Sequence, residues 1–142
     1  MNILYLSPSL RRNFIDQTLL ISHQSAAQVI KKFETALKSR NTLLKKIRDK
    51  GQSEDLLDDW DQIYVDAAWG LKMLRDRFFE HISLSSEYLQ LLLGKTHHVS
   101  WHHSGDLDAH DNTQTFLKAL GKERIHDIAS GHTSIGPQHD DF

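Results

Sequence analysis

Histidine is the residue type in this chain with the clearest capacity to bind a metal, because ten histidines are present and cysteine is absent. Two adjacent pairs, His97-His98 and His102-His103, lie in a stretch whose alternating pattern predicts a half-buried strand. His98 and His102 would share one face of that strand, but four residues of extended chain separate them by about 13 Å. Two ligands so far apart cannot share one ion. We therefore predict no metal site and assign the histidines to the surface.

Carboxylates and nucleophiles give no complete site either. Three aspartates in a polar loop, Asp106, Asp108 and Asp111, have a spacing similar to that of calcium-binding loops. The loop lacks the glycine and the final glutamate of that pattern. The sequence also contains no glycine-rich phosphate-binding loop, no dinucleotide-binding glycine pattern, no serine nucleophile elbow and no thiol. We therefore predict that this chain alone is not an enzyme and holds no cofactor.

Basic side chains are the third group with recognisable chemistry, since lysine and arginine can bind the phosphates of DNA. The formal net charge of -2 gives no overall attraction to nucleic acid, so any binding needs a local patch. The candidates for contact with DNA are Arg11, Arg12, Lys31, Lys38, Arg40, Lys45 and Lys46. For the lysines, a solvated helix face is an equally open interpretation.

The arginines among these candidates have structural alternatives. Arg11 and Arg12 lie on the same predicted helix as Asp16, and an ion pair with that carboxylate in solvent is the alternative to a phosphate-facing patch. Arg40 falls on the apolar seam of its predicted helix, next to Asn41, and a polar residue there can fix the register. We favour instead an arginine whose stem is buried while its charge reaches solvent.

The elements that must position these residues are two long helices folded back on each other. Apolar residues recur every three to four positions over residues 25–50, and again from residue 54 to residue 82, as in helices that pack along a seam. The polar link 49–54 contains a glycine and is short enough to make the two helices antiparallel neighbours. The first helix is basic and the start of the second is acidic, so we expect charge pairs between them that fix the register.

The other segments are shorter. We expect the second helix to break at residues 83–86 and to end at Gly94. Ser7 or Ser9 is predicted to cap a helix that precedes the hairpin. The remaining predictions are strands at 2–6, 95–104 and 131–135, a polar loop at 104–113, a helix at 115–120 ended by Gly121, and a turn or strand at 123–128.

Length and composition limit the class of protein. The chain has 142 residues, 39% of them hydrophobic and 25% charged, which suits one domain with a modest core. The absence of cysteine is compatible with a reducing cytoplasm. No apolar run approaches the ~18 residues of a membrane span, and the first ten residues lack the pattern of a signal peptide. We predict a cytoplasmic protein with no membrane partner.

Four stretches together resemble one family, RecF, the bacterial DNA replication and repair ATPase related to SMC and ABC-type heads. Residues 7–16 resemble its SPxxRRxFLD segment, residues 38–45 its KxRNxLLK stretch, residues 57–61 its LDxWD, and residues 127–142 its GxTxxGPHRDDL motif. The matched motif positions are Ser7, Pro8, Asp16, Asn41, Gly136, Pro137, His139, Asp140 and Asp141. Order and spacing agree across essentially the whole chain.

The resemblance implies a mainly α (α+β overall) fold, in which an antiparallel, coiled-coil-like two-helix arm joins a short N-terminal helix and a few short strands of an ATPase head. It divides the chain into a head-proximal strand and helix (1–23), a helical arm (24–94) and a return segment toward the head (95–142). The Walker A, signature and Walker B motifs of the family are absent, so the chain resembles the middle of such a protein. ATP and Mg²⁺ are implied only for a full-length member.

For function, the resemblance implies DNA replication, repair and recombination, including the SOS response, by an ATP-dependent dimer. It implies binding to single-strand/double-strand DNA junctions, contact with RecO- and RecR-type proteins during recombinase loading, and association with the nucleoid. It also makes a junction between head and arm the alternative to a DNA contact for Arg11 and Arg12. A stand-alone helical module that binds another protein is the rival interpretation of the whole chain.

The sequence departs from the family pattern at two places. Gln138-His139 stands where the family has His-Arg, which puts any role of that arginine's charge in doubt. The segment between the Ser-Pro pair and the arginine pair is also shorter here than is usual in the family. Both departures are compatible with a diverged or decaying copy.

Overall fold

The computed structural model describes residues 6–93 and 103–142, and within them the chain is mainly α-helical, as predicted. The helices are α1 (Pro8–Ser22), α2 (Ala26–Lys50), α3 (Leu56–Leu93) and α4 (Thr113–Ser130). Two 3-10 turns, Asp106–Ala109 and Pro137–His139, precede and follow α4. The predicted strand positions 2–5 and 95–102, and the predicted helix end at Gly94, lie outside the described residues.

Helices α2 and α3 form the expected antiparallel hairpin. α2 ends at Gly51, whose φ of 64° lies in the left-handed region that glycine adopts without strain. The Gly51 N–H donates to the carbonyl of Ile47 at 3.0 Å and closes the helix. Phe33 of α2 and Leu71 of α3 share one buried core, and the rings of Phe33 and Tyr64 lie 6.0 Å apart. The periodicity therefore predicted the hairpin correctly.

Helices α1 and α4 complete the core on the hairpin. Ile15 and Leu19 of α1, together with Phe116 and Leu120 of α4, are buried in the same cluster as Phe33. A second, smaller cluster fills the closed end of the hairpin and consists of Leu43, Leu44, Ile47 and Leu57. In residues 6–93 and 103–142, no helix combines the length and the apolar character needed to cross a membrane.

Helix α3 runs through residues 83–86, so the predicted break there is wrong. The serine hydroxyls bond to carbonyls of the preceding turn: Ser85 Oγ donates to His81 O at 3.0 Å, and Ser86 Oγ donates to Ser83 O at 2.7 Å. Serine side chains that bond back to their own helix are compatible with its continuation.

Helix α4 is also longer than predicted, because neither an end at Gly121 nor a turn or strand after it is found. The side chain of Asn112 caps the helix by accepting hydrogen bonds from two backbone N–H groups. The helix ends at Gly131, where φ is 74°. Gly121 is exposed within the helix and costs about 1 kcal/mol relative to alanine. Burial of Phe116 and Leu120 offsets that cost.

The predicted strand at 131–135 is absent, and the chain there is irregular up to the turn at Pro137–His139. In the described residues, strand-like pairing is limited to an isolated antiparallel bridge between Ser104 and Asp141. The short-strand part of the predicted fold is therefore not supported by the described residues. Ser7 stands at the N-cap position of α1, but its hydroxyl faces Ser9 Oγ at 3.1 Å and caps no backbone N–H.

Candidate nucleic-acid interface

Four of the predicted DNA-binding lysines lie on one exposed side of α2. Lys31, Lys38 and Lys45 follow one another at intervals of seven residues, so the helical repeat places them within about 40° of rotation. They span about 21 Å along the helix axis, and Lys46 is exposed beside them. We name Lys31, Lys38, Lys45 and Lys46 the α2 lysine face. Their contact with DNA stays a prediction.

The charges around the α2 lysine face leave it positive. Glu34 is exposed on the same side of the helix. Asp49 is also exposed, but Arg48 Nε donates to it at 2.7 Å, and this hydrogen bond lowers the pKa of the Asp49 carboxyl. In the described part of the chain, the ion pair that joins α2 to α3 is the pair of Arg40 with Asp61. Among the side chains that the structure describes, no other charge pair predicted along the hairpin is found, and the lysines are exposed.

Arg40 is not available for DNA, because its side chain is completely buried. Its Nε donates to Asp61 at 2.7 Å, and its Nη1 donates to Asp127 at 2.7 Å and to Thr133 Oγ1 at 2.8 Å. The predicted solvent-reaching arginine is therefore wrong, and so is the placement of Arg40 among the DNA contacts. A buried cation needs partners of this kind, since an unpaired charge in the core is costly.

Residues beside Arg40 extend the same buried network. Asn41 Oδ1 accepts hydrogen bonds from the backbone N–H of Thr133 at 2.8 Å and from its hydroxyl at 2.7 Å. Asp127 Oδ1 accepts from the backbone N–H of Ser134 at 3.0 Å. Arg124 of α4 donates to the second oxygen of Asp61 at 2.6 Å. The motif residue Asn41 thus fixes the return segment onto α2.

A second buried arginine, Arg75 of α3, was not singled out from the sequence. Its guanidinium donates to Asp16 of α1 at 2.8 Å, to Asp140 at 2.7 Å and to the carbonyl of Pro137 at 2.9 Å. Position 75 follows Leu71 by four residues along the apolar stripe of α3, so a charged residue on that stripe was the available signal. The motif residues Asp16 and Asp140 are therefore joined through one arginine.

Arg11 and Arg12 contact the end of the chain rather than Asp16, so the predicted ion pair with Asp16 is wrong. Arg11 holds both carboxylate oxygens of Asp141, at 2.8 and 2.7 Å, and this lowers the pKa of the Asp141 carboxyl. Arg12 donates to the carbonyl of Asp140 at 2.8 Å. These contacts favour a structural junction over a phosphate contact for both arginines.

The glycine of the GP motif packs against a buried tyrosine. Gly136 has φ of 142°, a conformation that L-residues avoid, and a Cβ added there would lie 1.8 Å from Tyr64 Oη. Tyr64 donates to the carbonyl of Ile135 at 2.8 Å and also contacts Gln138 Oε1 at 2.9 Å. Burial raises the pKa of the Tyr64 hydroxyl, so it stays protonated. His139 of the motif is exposed, whereas Pro137 is buried.

The substitution Gly136→Ala is expected to lower the free energy of unfolding by about 2 to 4 kcal/mol, through backbone strain and overlap with Tyr64. Denaturant unfolding followed by circular dichroism measures the loss. Gly121→Ala is the matched control, because nothing lies within 4 Å of the added methyl and alanine favours a helix. We expect this control to be stabilising by about 1 kcal/mol. Equal effects of the two variants would contradict the packing described for Gly136.

His103 lies among carboxylates at the junction of α3 and the return segment. Its Nδ1 forms a hydrogen bond with Asp76 at 3.2 Å. Its Nε2 also lies 3.2 Å from Asp140, but this second contact lacks hydrogen-bond geometry. Asp76, His103 and Asp108 place ligand atoms within 4.8 Å of one another. The ammonium of Lys72 already pairs with Asp76 at 2.7 Å and with Asp108 at 3.0 Å. Lys72 thus already pairs with both carboxylates of this cluster, and we assign no metal to it.

The protonation of His103 should make stability depend on pH. Burial lowers the pKa of the imidazole, but the facing carboxylates, Asp140 foremost, outweigh it and raise the pKa above the ordinary 6.5. The charged ring therefore stabilises the fold below about pH 6.5, and this contribution disappears as the pH rises through the raised pKa. Urea unfolding measures the free energy of unfolding at pH 6 and at pH 8. The decrease between these two pH values should be smaller for His103→Gln than for the parent chain. His132→Gln, at an exposed position, should keep the parent's difference.

The proteins to which the chain is similar are DNA replication and repair proteins. A protein of Ruminiclostridium cellulolyticum is 30% identical over 142 residues, which cover 95% of this chain and 38% of that protein. A protein of Thermosynechococcus vestitus is 26% identical over 141 residues, which cover 95% of this chain and 37% of that protein. The chain thus spans less than two fifths of the length of these relatives. No protein-family model matches it.

Both relatives are RecF proteins, and the solved structures agree with them. Recombination mediator protein RecF of the RecFOR pathway, solved as RecF-ATPrS and as RecF-ATP, superposes with TM-scores of 0.80 and 0.81 at 21% and 20% identity. The overlap covers 96% and 98% of this chain, but 38% and 39% of those chains. At this identity the structures show the shared fold. The predicted resemblance to a middle segment of the RecF family is confirmed.

Proposed function

We propose that the chain is the arm region of a RecF-like DNA repair and recombination protein, and that the α2 lysine face binds DNA phosphates. The exposed row of Lys31, Lys38 and Lys45 is the observation that carries this proposal. Three cations in one row can follow a phosphate backbone, because their charge is not consumed by carboxylates within the described residues. The names of the relatives support nucleic acid as the ligand. Such a role would place the protein in the cytoplasm, on the nucleoid.

The salt dependence of DNA binding tests the proposal. Replacement of Lys31, Lys38 and Lys45 by alanine should weaken the binding of a duplex with a single-stranded overhang at every salt concentration. If each lysine neutralises one phosphate, the slope of log affinity against log salt should become less steep by roughly 2.7. Fluorescence anisotropy with a labelled oligonucleotide, recorded between about 50 and 200 mM salt, measures both quantities.

The matched control replaces Lys118 and Lys122, two exposed lysines of α4, by alanine. These residues lie outside the α2 lysine face, so the salt slope should stay that of the parent chain. An equal loss of DNA affinity in both variants would indicate that overall charge governs binding, and it would contradict the proposal. So would binding by the parent chain that is insensitive to salt.

We further propose that the chain alone does not hydrolyse ATP. The support is the sequence, which lacks Walker A, signature and Walker B motifs. ATP and Mg²⁺ would then act only in a longer protein that supplies those motifs. Purified chain mixed with ATP, Mg²⁺ and DNA should release no phosphate above the background of a denatured sample, and a rate that scales with chain concentration would refute this.

An apolar face on α1 supports a contact with a protein body. Leu10, Phe14 and Ile21 lie on one side of the helix, and the side chain of Ile21 is 89% exposed. Exposed Gln17 lies between Phe14 and Ile21 on this side. Exposed apolar residues rimmed by polar ones mark protein contacts. We propose RecR- or RecO-type proteins, the remainder of an ATPase head, or a second copy as its occupants. The same face would serve the rival function, a stand-alone helical interaction module.

A charged substitution on this α1 face distinguishes binding to a protein partner from binding to DNA. Ile21→Glu should abolish co-elution with purified RecR- or RecO-type partners, or dissociate a dimer seen by light scattering. DNA affinity should stay unchanged, because α1 is not part of the α2 lysine face. If Ile21→Glu leaves every association intact, the α1 face is not a contact surface.

A further inference from the structure

An aromatic side chain lies in the groove between α2 and α3, beside the α2 lysine face. Trp60 of α3 packs against the small cluster at the closed end of the hairpin. It also lines a cavity of about 310 Å³ with five residues of α2, which is at the lower limit for binding a small ligand. These residues are Lys38, Ser39, Thr42, Leu43 and Lys46.

Trp60 also borders the next section of the groove toward the N-terminus of α2. That section is lined on α2 by Gln28, Lys31, Lys32, Thr35 and Ala36, and on α3 by Trp60 and Ile63. Two lysines therefore border the groove on each side of the indole. The second section is lined almost entirely by apolar atoms, so Lys31 and Lys32 contribute their stems to its wall and their ammonium groups to its rim. No acidic residue lines either section as the structure describes them.

The chemistry of the groove matches a nucleotide chain. Ammonium groups bind phosphates, the hydroxyls of Ser39 and Thr42 can donate to phosphate or sugar oxygens, and an indole offers a surface for a base. Within residues 6–93 and 103–142, no hydrogen bond from the indole N–H of Trp60 is found. An acidic helix of a partner protein would satisfy the lysines equally, but it would not use the hydroxyls and the indole together.

We propose that this groove binds a short run of single-stranded DNA, with one base stacked on Trp60 and the phosphates on Lys31, Lys32, Lys38 and Lys46. The bases of a duplex are stacked on one another, so a side chain set within a groove cannot reach their faces. A single strand can turn a base into the groove. This inference depends on the DNA binding proposed above. It assigns the single-stranded side of a junction to the groove, which shares Lys31, Lys38 and Lys46 with the α2 lysine face, so Trp60 is the residue that distinguishes the two kinds of binding.

Tryptophan fluorescence tests the contact directly. Trp69→Phe combined with Trp101→Phe leaves Trp60 as the only tryptophan of the three. Titration with an oligothymidine of roughly 8 nucleotides should quench its emission, whereas a blunt hairpin duplex should not. Trp60→Ala should weaken oligothymidine binding about 5- to 100-fold, and Trp60→Phe should restore part of it, because a smaller ring still stacks.

Two controls keep the result interpretable. Trp69→Ala removes an aromatic residue of the same helix outside the groove, and oligothymidine affinity should match the parent. Lys38→Ala with Lys46→Ala leaves Trp60 in place and should weaken oligothymidine binding, which guards against a Trp60 variant that fails to fold.

The outcomes separate this inference from the function on which it depends. Salt-dependent duplex binding without quenching by oligothymidine overturns the groove and leaves the proposed function standing. A parent chain that binds neither the duplex nor the oligothymidine overturns both the groove and the proposed DNA-binding function. Quenching by an acidic helical peptide but not by oligothymidine makes the groove a protein-binding site and overturns the proposal.

Discussion

Arg40→Ala is expected to lower the free energy of unfolding by about 3 to 5 kcal/mol, because it leaves Asp61 and Asp127 buried without their cation. Both carboxylates are nearly inaccessible to solvent, so water cannot replace the guanidinium. Thr133 also loses a donor to its hydroxyl. A loss of this size corresponds to a fall in melting temperature of roughly 10 to 20 °C for a chain of this length. Calorimetry and urea unfolding measure the two quantities.

Arg48→Ala is the matched control for Arg40→Ala. It lies on the same helix and also pairs with an aspartate, but its side chain is exposed. Exposed ion pairs contribute little because water and salt screen them, so the unfolding midpoint should hardly move. If Arg40→Ala were as mild as Arg48→Ala, the buried network would not have the energetic role assigned to it.

Arg75→Ala is expected to lower the free energy of unfolding by about 3 to 4 kcal/mol, toward the lower end for a buried pair. Asp140 is buried, but Asp16 is partly exposed and can be hydrated once the arginine is gone. Because Arg75 also holds the carbonyl of Pro137, the return segment should loosen before the hairpin does. Hydrogen exchange should accelerate over residues 131–142 more than over α2.

The control for Arg75→Ala is Arg77→Ala, two positions further along α3 and exposed. It removes the same number of atoms and the same charge without opening the junction, so exchange in residues 131–142 should stay at the parent's rate. Uniform acceleration of exchange over the whole molecule in Arg75→Ala would contradict a local junction. It would indicate instead that the whole molecule opens as one cooperative unit when Arg75 is removed.

The hairpin could be predicted from the sequence because its signal is long and regular. Apolar residues such as Phe33 and Leu71 recur over many turns of both helices, and Gly51 marks the turn between them. Only the first half of helix α4 was predicted, because a glycine within a helix, such as Gly121, has the same local signature as one that ends it. The burial of Phe116 and Leu120 decides between the two, and that burial is a tertiary property.

The candidate site was predicted in part. The sequence predicted a basic first helix of the hairpin, and the structure places Lys31, Lys38 and Lys45 on one exposed side of it. Arg40 was placed on the apolar seam, but its complete burial could not be predicted, because its partners Asp127 and Thr133 lie 87 and 93 residues further along the chain. The groove around Trp60 was equally hidden, since α2 and α3 each contribute only one wall.

The long reach of Arg40 has a consequence for biosynthesis. Helices α2 and α3 can pair as soon as both have left the ribosome, but Asp127 follows Arg40 by 87 residues. Asp61 follows Arg40 by only 21 residues, so over the 66 residues from Asp61 to Asp127, roughly 3 to 13 s at ordinary elongation rates, the guanidinium has a carboxylate only on the α3 side. In the nascent hairpin, the Arg40 guanidinium must therefore stay hydrated, and α2 and α3 cannot yet pack fully around it. The buried network can close only once Asp127 has been synthesised and has reached Arg40, so the hairpin becomes rigid well after its own two helices are complete.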